Sequence, residues 1–184
     1  MNLSTGWLKA AAVVLFVFFA AINQLTSSSA SANAQSPPAG CTATEYRQFD
    51  FWVGNWDAFD VDGPAAAVAR IRVERILDEC VVLESYDGTD SLKGQSFSLY
   101  DASRKMWHQS WVTNRGQLLV IEGEFHAGEM VLSGADRTKD GKERRVRGTW
   151  KPVNGGVRET AVTSLDGGKT WQPWFDLLFR PHKQ

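Results

Sequence analysis

The stretch Phe49-Asp50-Phe51-Trp52-Val53-Gly54-Asn55-Trp56 decides the fold of this chain. It gathers large aromatic side chains and one glycine immediately before a long run of alternating segments. Gly54 lets the backbone turn tightly out of an entry segment, and Trp56 is then set to plug a sheet that closes on itself. Trp56 is therefore expected at the floor, with everything downstream building walls.

Beyond Trp56 no segment keeps a helical period for three turns. Alternating runs recur instead about every 10 to 12 residues. They predict strands over Trp56–Val61, Val68–Ile76, Val81–Tyr86, Gln95–Tyr100, Met106–Thr113, Leu118–Phe125, Glu129–Ala135, Arg144–Lys151, Gly156–Ser164 and Thr170–Arg180. Hairpin chemistry separates them, as in Asp87-Gly88, Asn114-Arg115-Gly116, Asp140-Gly141 and Asn154-Gly155-Gly156. About ten antiparallel strands without sequence for a crossover helix predict an all-β, up-and-down β-barrel. A two-sheet sandwich is the other arrangement, but a barrel removes the exposed edges of a long meander. A short helical turn over Glu45–Val53 leads into the first strand.

Upstream, Lys9 precedes the apolar run Ala10–Ile22, and Ala32-Asn33-Ala34 offers small residues at signal-peptidase spacing. Residues 1–34 read as a secretory signal peptide, 35–44 as a Pro-containing linker, and 45–184 as the barrel domain. The apolar run falls short of the ~20 residues a membrane anchor needs, so the expected location is periplasmic or secreted, with no membrane attachment after cleavage. The whole chain carries 20 basic and 21 acidic residues. Such balance gives no reason to expect nucleic acid as a partner. Cys41 and Cys80 are the only cysteines, and an even pair in an exported chain predicts one disulfide. The competing reading makes Cys41 a lipidated N-terminus, which would leave Cys80 unpaired.

Gly54-Asn55-Trp56 resembles the G-x-W signature of the calycin barrels, which include the lipocalins. Those families set an Arg of the last strand over that Trp. The resemblance assigns this role to Arg180, which ends Trp174-Phe175-Asp176-Leu177-Leu178-Phe179-Arg180. Four blocks in order carry a nearer likeness: Phe49 to Trp56, Glu74-Arg75-Ile76-Leu77-Asp78-Glu79-Cys80, Trp107-His108-Gln109-Ser110-Trp111, and Ser164-Leu165-Asp166-Gly167-Gly168-Lys169-Thr170-Trp171. Together they resemble DUF1579-type, lipocalin-like exported bacterial proteins, a family without an assigned activity.

The last of these blocks also fits the Asp-box pattern. In that pattern Asp166 ties a hairpin backbone, Gly168 takes positive φ, and Trp171 packs underneath, a folding role rather than a glycosidase one. On a strand, Trp107, Gln109 and Trp111 share one face and His108 the other. Two tryptophans on an outer wall would aggregate, so Trp107, Gln109 and Trp111 are placed inside and His108 outside or at the rim. Plain core packing explains this block equally. The functional reading is an aromatic pocket with Gln109 orienting a ligand, joined by Glu84, Tyr86, Arg158 and His108. The alternating charges read mostly as the wet face of the barrel. His108, His126 and His182 are widely spaced, so no metal site is expected. No cofactor is expected; haem is the minor option, since no clear match to a haem-barrel His motif appears.

The function expected is binding of a small, largely apolar molecule. The alternatives are an isomerase-, cyclase- or hydratase-type enzyme on the same barrel, and a filled barrel that docks a protein partner. No Ser-His-Asp order and no carboxylate dyad is identifiable from the sequence.

Overall fold

The computed structural model describes residues 40–183. The leader over residues 1–34, its cleavage motif and the first part of the linker lie outside the described residues. Two short 3-10 turns, Thr44–Arg47 and Asp50–Trp52, precede ten strands. These are β1 (Gly54–Asp60), β2 (Ala69–Ile76), β3 (Val81–Gly88), β4 (Lys93–Asp101), β5 (Met106–Thr113), β6 (Leu118–His126), β7 (Glu129–Arg137), β8 (Glu143–Val153), β9 (Gly156–Ser164) and β10 (Gln172–Pro181). Each strand pairs antiparallel with the next, and β1 pairs with β10 from Trp56↔Pro181 to Asp60↔Leu177, which closes the barrel. Closure satisfies the edges that an open meander would leave bare.

All ten predicted segments are strands. Their ends lie within about two residues of the predicted ones; β10, for example, starts at Gln172 rather than Thr170. The Asp166 carboxylate accepts hydrogen bonds from the amides of Lys169 and Thr170, each at 2.9 Å, and holds both residues in the turn. These bonds, with those from the side chains of Ser164 and Thr170, hold the Asp166 carboxyl well below its ordinary range. Gly167 and Gly168 have φ of 77° and 92°, a region that suits glycine. Trp171 packs on the outer wall, where the Arg147 guanidinium lies 4.5 Å from its ring.

The floor is wider than Trp56 alone. The two 3-10 turns pass beneath the barrel and push Phe49 and Trp52, both fully buried, into its end. Phe49 meets Trp107 and Trp150 edge-on, with ring centroids 5.7 and 5.6 Å apart. Trp52 stacks on Trp56 at 5.9 Å, and the Trp56 Nε1–H donates to the Trp52 carbonyl at 3.0 Å. Gly54 makes room for this: a Cβ there would sit 2.8 Å from the Trp56 indole. Gly148-Thr149-Trp150 on β8 repeats the device, with a Cβ at Gly148 again 2.8 Å from its own Trp. A glycine two residues before a tryptophan shares its face of the strand, so the indole folds back over it.

The Arg180-over-Trp56 stack is not formed. Trp56 pairs with Pro181, whereas Arg180 pairs with Asp57, so the register turns Arg180 to the outer surface. There its Nη1 donates to the Asn154 carbonyl at 2.6 Å. Trp52 occupies the place beside Trp56 that the resemblance reserved for the guanidinium.

A disulfide joins Cys41 to Cys80, with Cα atoms 5.1 Å apart, and straps the entry segment to the β2–β3 corner. Three successive residues of that corner, Leu77, Asp78 and Glu79, have φ of 51°, 52° and 69°. Such conformations persist only where their surroundings hold them. Arg75 helps, donating to the carbonyls of Glu79 and Tyr46 at 2.7 Å and pairing with Asp50. With the cysteines 39 positions apart in sequence, loop closure stabilises the fold by about 2–4 kcal/mol. The Cys41→Ser/Cys80→Ser variant is expected to lose that amount in urea titration. An unchanged midpoint would show that the strap contributes nothing.

Candidate functional site

Above the aromatic floor the interior opens into a cavity of about 350 Å³. Its walls follow from the two-residue period of the strands, which turns every second side chain inward. Tyr86 and Trp111 form one side, edge-to-face at 5.9 Å. Trp111 lies over Gly94, where a Cβ would come within 2.3 Å of the indole. Ile121, Val146 and Ala161 line the middle, and Trp150, Leu177 and Phe179 the deep end. At the mouth, the register between β9 and β10 shifts around Trp174. This irregularity brings Trp174 to the cavity rim. Arg144 covers it at 4.4 Å and is itself fixed by two hydrogen bonds to Asp136, at 2.9 and 2.5 Å.

Besides Asp136, which is paired with Arg144, two carboxyl groups face this cavity. Glu84 on β3 is buried and accepts a hydrogen bond from the Ser96 hydroxyl at 2.8 Å. Glu159 on β9 pairs with Trp150 on one side and Leu177 on the other, and both neighbours line the cavity. Its remaining accessible surface therefore opens to the cavity. Burial pushes the Glu84 carboxyl up to about 7, and the Ser96 bond only partly opposes this. Glu159 is raised well above the ordinary range by burial and by the charge of Glu84. The Trp150 Nε1–H is buried without an acceptor at bonding geometry, although it favours the ionised form of the adjacent Glu159. Gln109, also buried, donates to the Ser98 hydroxyl at 2.9 Å. Polar groups from β3, β5 and β9 thus face an otherwise apolar chamber.

Among the residues singled out from sequence, Trp107, Gln109 and Trp111 all point inward. Trp107 belongs to the floor, its Nε1–H donating to the side-chain Oε1 of Gln48 at 3.0 Å. Gln109, Trp111, Glu84 and Tyr86 line the cavity together. Arg158 does not join them: it projects from the outer wall and pairs with Asp176. The register explains this, because Val157, Glu159 and Ala161 face in and Arg158 therefore faces out. His108 also lies on the outer wall, between Glu122 at 2.9 Å and Ser110 at 2.8 Å. His182 pairs with Asp57 at 2.9 Å, His126 is exposed at the end of β6, and no histidine lines the cavity. Among the described residues no three His, Cys, Asp or Glu side chains are grouped to hold a metal ion, and no helix is long and apolar enough to cross a membrane.

The residues missed from sequence are Glu159, Ser96, Ser98, Arg144 and Trp174. A signal for Glu159 existed, since Val157 and Ala161 are apolar at even spacing and bracket it on one face. Compared with models of known protein families, the chain matches none. No curated protein matches it either.

Proposed function

We propose that this protein is an exported carrier that holds a small, largely apolar molecule inside its barrel. The observation that carries this reading is the cavity itself. Its volume lies at the lower end of ligand pockets, roughly 300–1,000 Å³, and tryptophan, tyrosine and aliphatic side chains line most of it. Burial at roughly 25 cal/mol per Å² would supply the affinity, and Glu84, Gln109 and Glu159 would set orientation. Such an interior argues against a filled barrel that acts only through its outer surface. Export is supported by the leader sequence and the disulfide. Membership of the DUF1579-type family rests on the four sequence blocks alone.

A second reading is acid–base catalysis on an apolar substrate, of the isomerase, cyclase or hydratase kind. The specific observation in its favour is Glu84, whose carboxyl titrates at about 7 and so suits proton transfer at neutral pH.

Native mass spectrometry of protein taken from its own compartment tests the carrier reading through a retained small molecule. Titration with that molecule should quench tryptophan fluorescence. Trp111→Ala is expected to weaken binding by about tenfold or more, through lost burial. His108→Ala should leave binding unchanged. A silent Trp111→Ala together with a damaging His108→Ala would move the site to the outer wall.

A further inference from the structure

Glu84 and Glu159 place two carboxyl groups in one largely apolar chamber. Both carboxyl groups face one cavity, yet among the described residues neither forms an ion pair with a Lys, Arg or His. The nearby guanidinium groups are already engaged, Arg144 by Asp136 at the mouth and Arg158 by Asp176 on the outer wall. Ser96 supplies one hydrogen bond to Glu84. Beside Glu159, the Trp150 Nε1–H is buried and unpartnered, a donor that suits an ionised Glu159 rather than a protonated one. Buried polar groups ordinarily have partners, and an exception asks for an explanation.

A neutral apolar ligand would seal both carboxyl groups away from water without replacing their hydrogen bonds. An anionic ligand would add a further negative charge. A protonated amine supplies the missing positive charge and up to three N–H donors from one atom. The walls suit such a ligand, since Tyr86, Trp111 and Trp150 present aromatic rings that attract cations as well as apolar bodies. We propose that the ligand is an organic amine with a compact aromatic or aliphatic body, its ammonium group seated between Glu84 and Glu159. This rests on the carrier reading and names its ligand class.

Seating the ammonium requires a carboxyl group to ionise, so binding releases a proton wherever the free pair holds one. The groups facing the pair are Tyr86 of β3, Gln109 of β5 and Trp150 of β8. The mouth carries Arg144 with its partner Asp136, and the loop pair Arg115–Asp90 acts on Tyr86. Amine affinity should therefore rise by up to about tenfold per pH unit below the titration of the pair, then level off.

The probes are 2-phenylethylamine and its uncharged counterpart 2-phenylethanol, each titrated calorimetrically into the disulfide-bonded protein between about pH 5.5 and 8. At pH 8 the amine is expected to bind about tenfold to a hundredfold more tightly than the alcohol. Its heat near pH 6 should vary with buffer ionisation enthalpy, and the alcohol's should not. In Glu84→Gln/Glu159→Gln the amine preference should vanish while the alcohol still binds. Equal affinities with no proton release in wild-type protein would overturn the amine inference and leave the apolar carrier standing. Binding of neither probe at millimolar concentration would overturn both.

Discussion

Stability should fall as the pH rises from about 4.5 to 8, and the Glu84→Gln/Glu159→Gln variant should lose most of that fall. The reason is the cost of ionising buried carboxyl groups. Glu84 titrates at about 7 in the folded protein against an ordinary value of 4.5, and Glu159 is raised too. Below pH 4.5 both states hold the Glu84 proton, and its contribution is constant. Above it the unfolded chain ionises first, so the folded state binds more protons and stability declines with pH. The decline ends once the folded group also ionises. For Glu84 the penalty is on the order of 3 kcal/mol, with Glu159 adding in the same direction.

Exposed carboxylates set the opposite limb. Arg104 and then His108 pull the Glu122 carboxyl down to about 2, and Asp101 and Asp166 are also lowered. Their contribution is present above the ordinary carboxylate range and disappears as the pH drops through their folded values. Maximal stability is therefore expected in mildly acidic solution, near pH 4.5 to 5.5. Urea titrations at four pH values read both limbs. A wild-type protein whose stability climbs steadily from pH 5 to 8 would show that the pair is not buried with raised titration.

Phe49→Ala should be among the most damaging single substitutions, costing about 3–5 kcal/mol. Phe49 is fully buried, carries no polar atom, and touches Phe51, Trp107 and Trp150. Removing it opens a hole where the entry segment meets the walls, which the rigid indoles cannot close. The melting temperature should drop by roughly 10 to 20 °C. Arg180→Ala is the matched control, expected within about 0.5 kcal/mol of wild type because Arg180 lies on the outer surface. If the two variants proved equally stable, the floor would not be built from the 49–56 stretch.

The sequence by itself determined the elements of this protein and their local chemistry. Two-residue alternation and Gly-rich turns are properties of neighbouring residues, so all ten strands could be read without knowing their partners. The inward face of Trp107, Gln109 and Trp111 was legible for the same reason, since two exposed tryptophans are costly wherever the strand lies. The Cys41–Cys80 bond needed only a count of cysteines and the expectation of export. Tertiary structure alone decided what crosses the barrel. Whether Arg180 meets Trp56 depends on the β1–β10 register, and a shift of one residue reverses its face. The choice between Arg158 and Glu159 turned on the same one-residue phase. Glu84 and Glu159 belong to β3 and β9, far apart in sequence, and only closure of the sheet brings them to one cavity. Alternation tells which residues share a face, but which faces confront each other is fixed by the way the strands close.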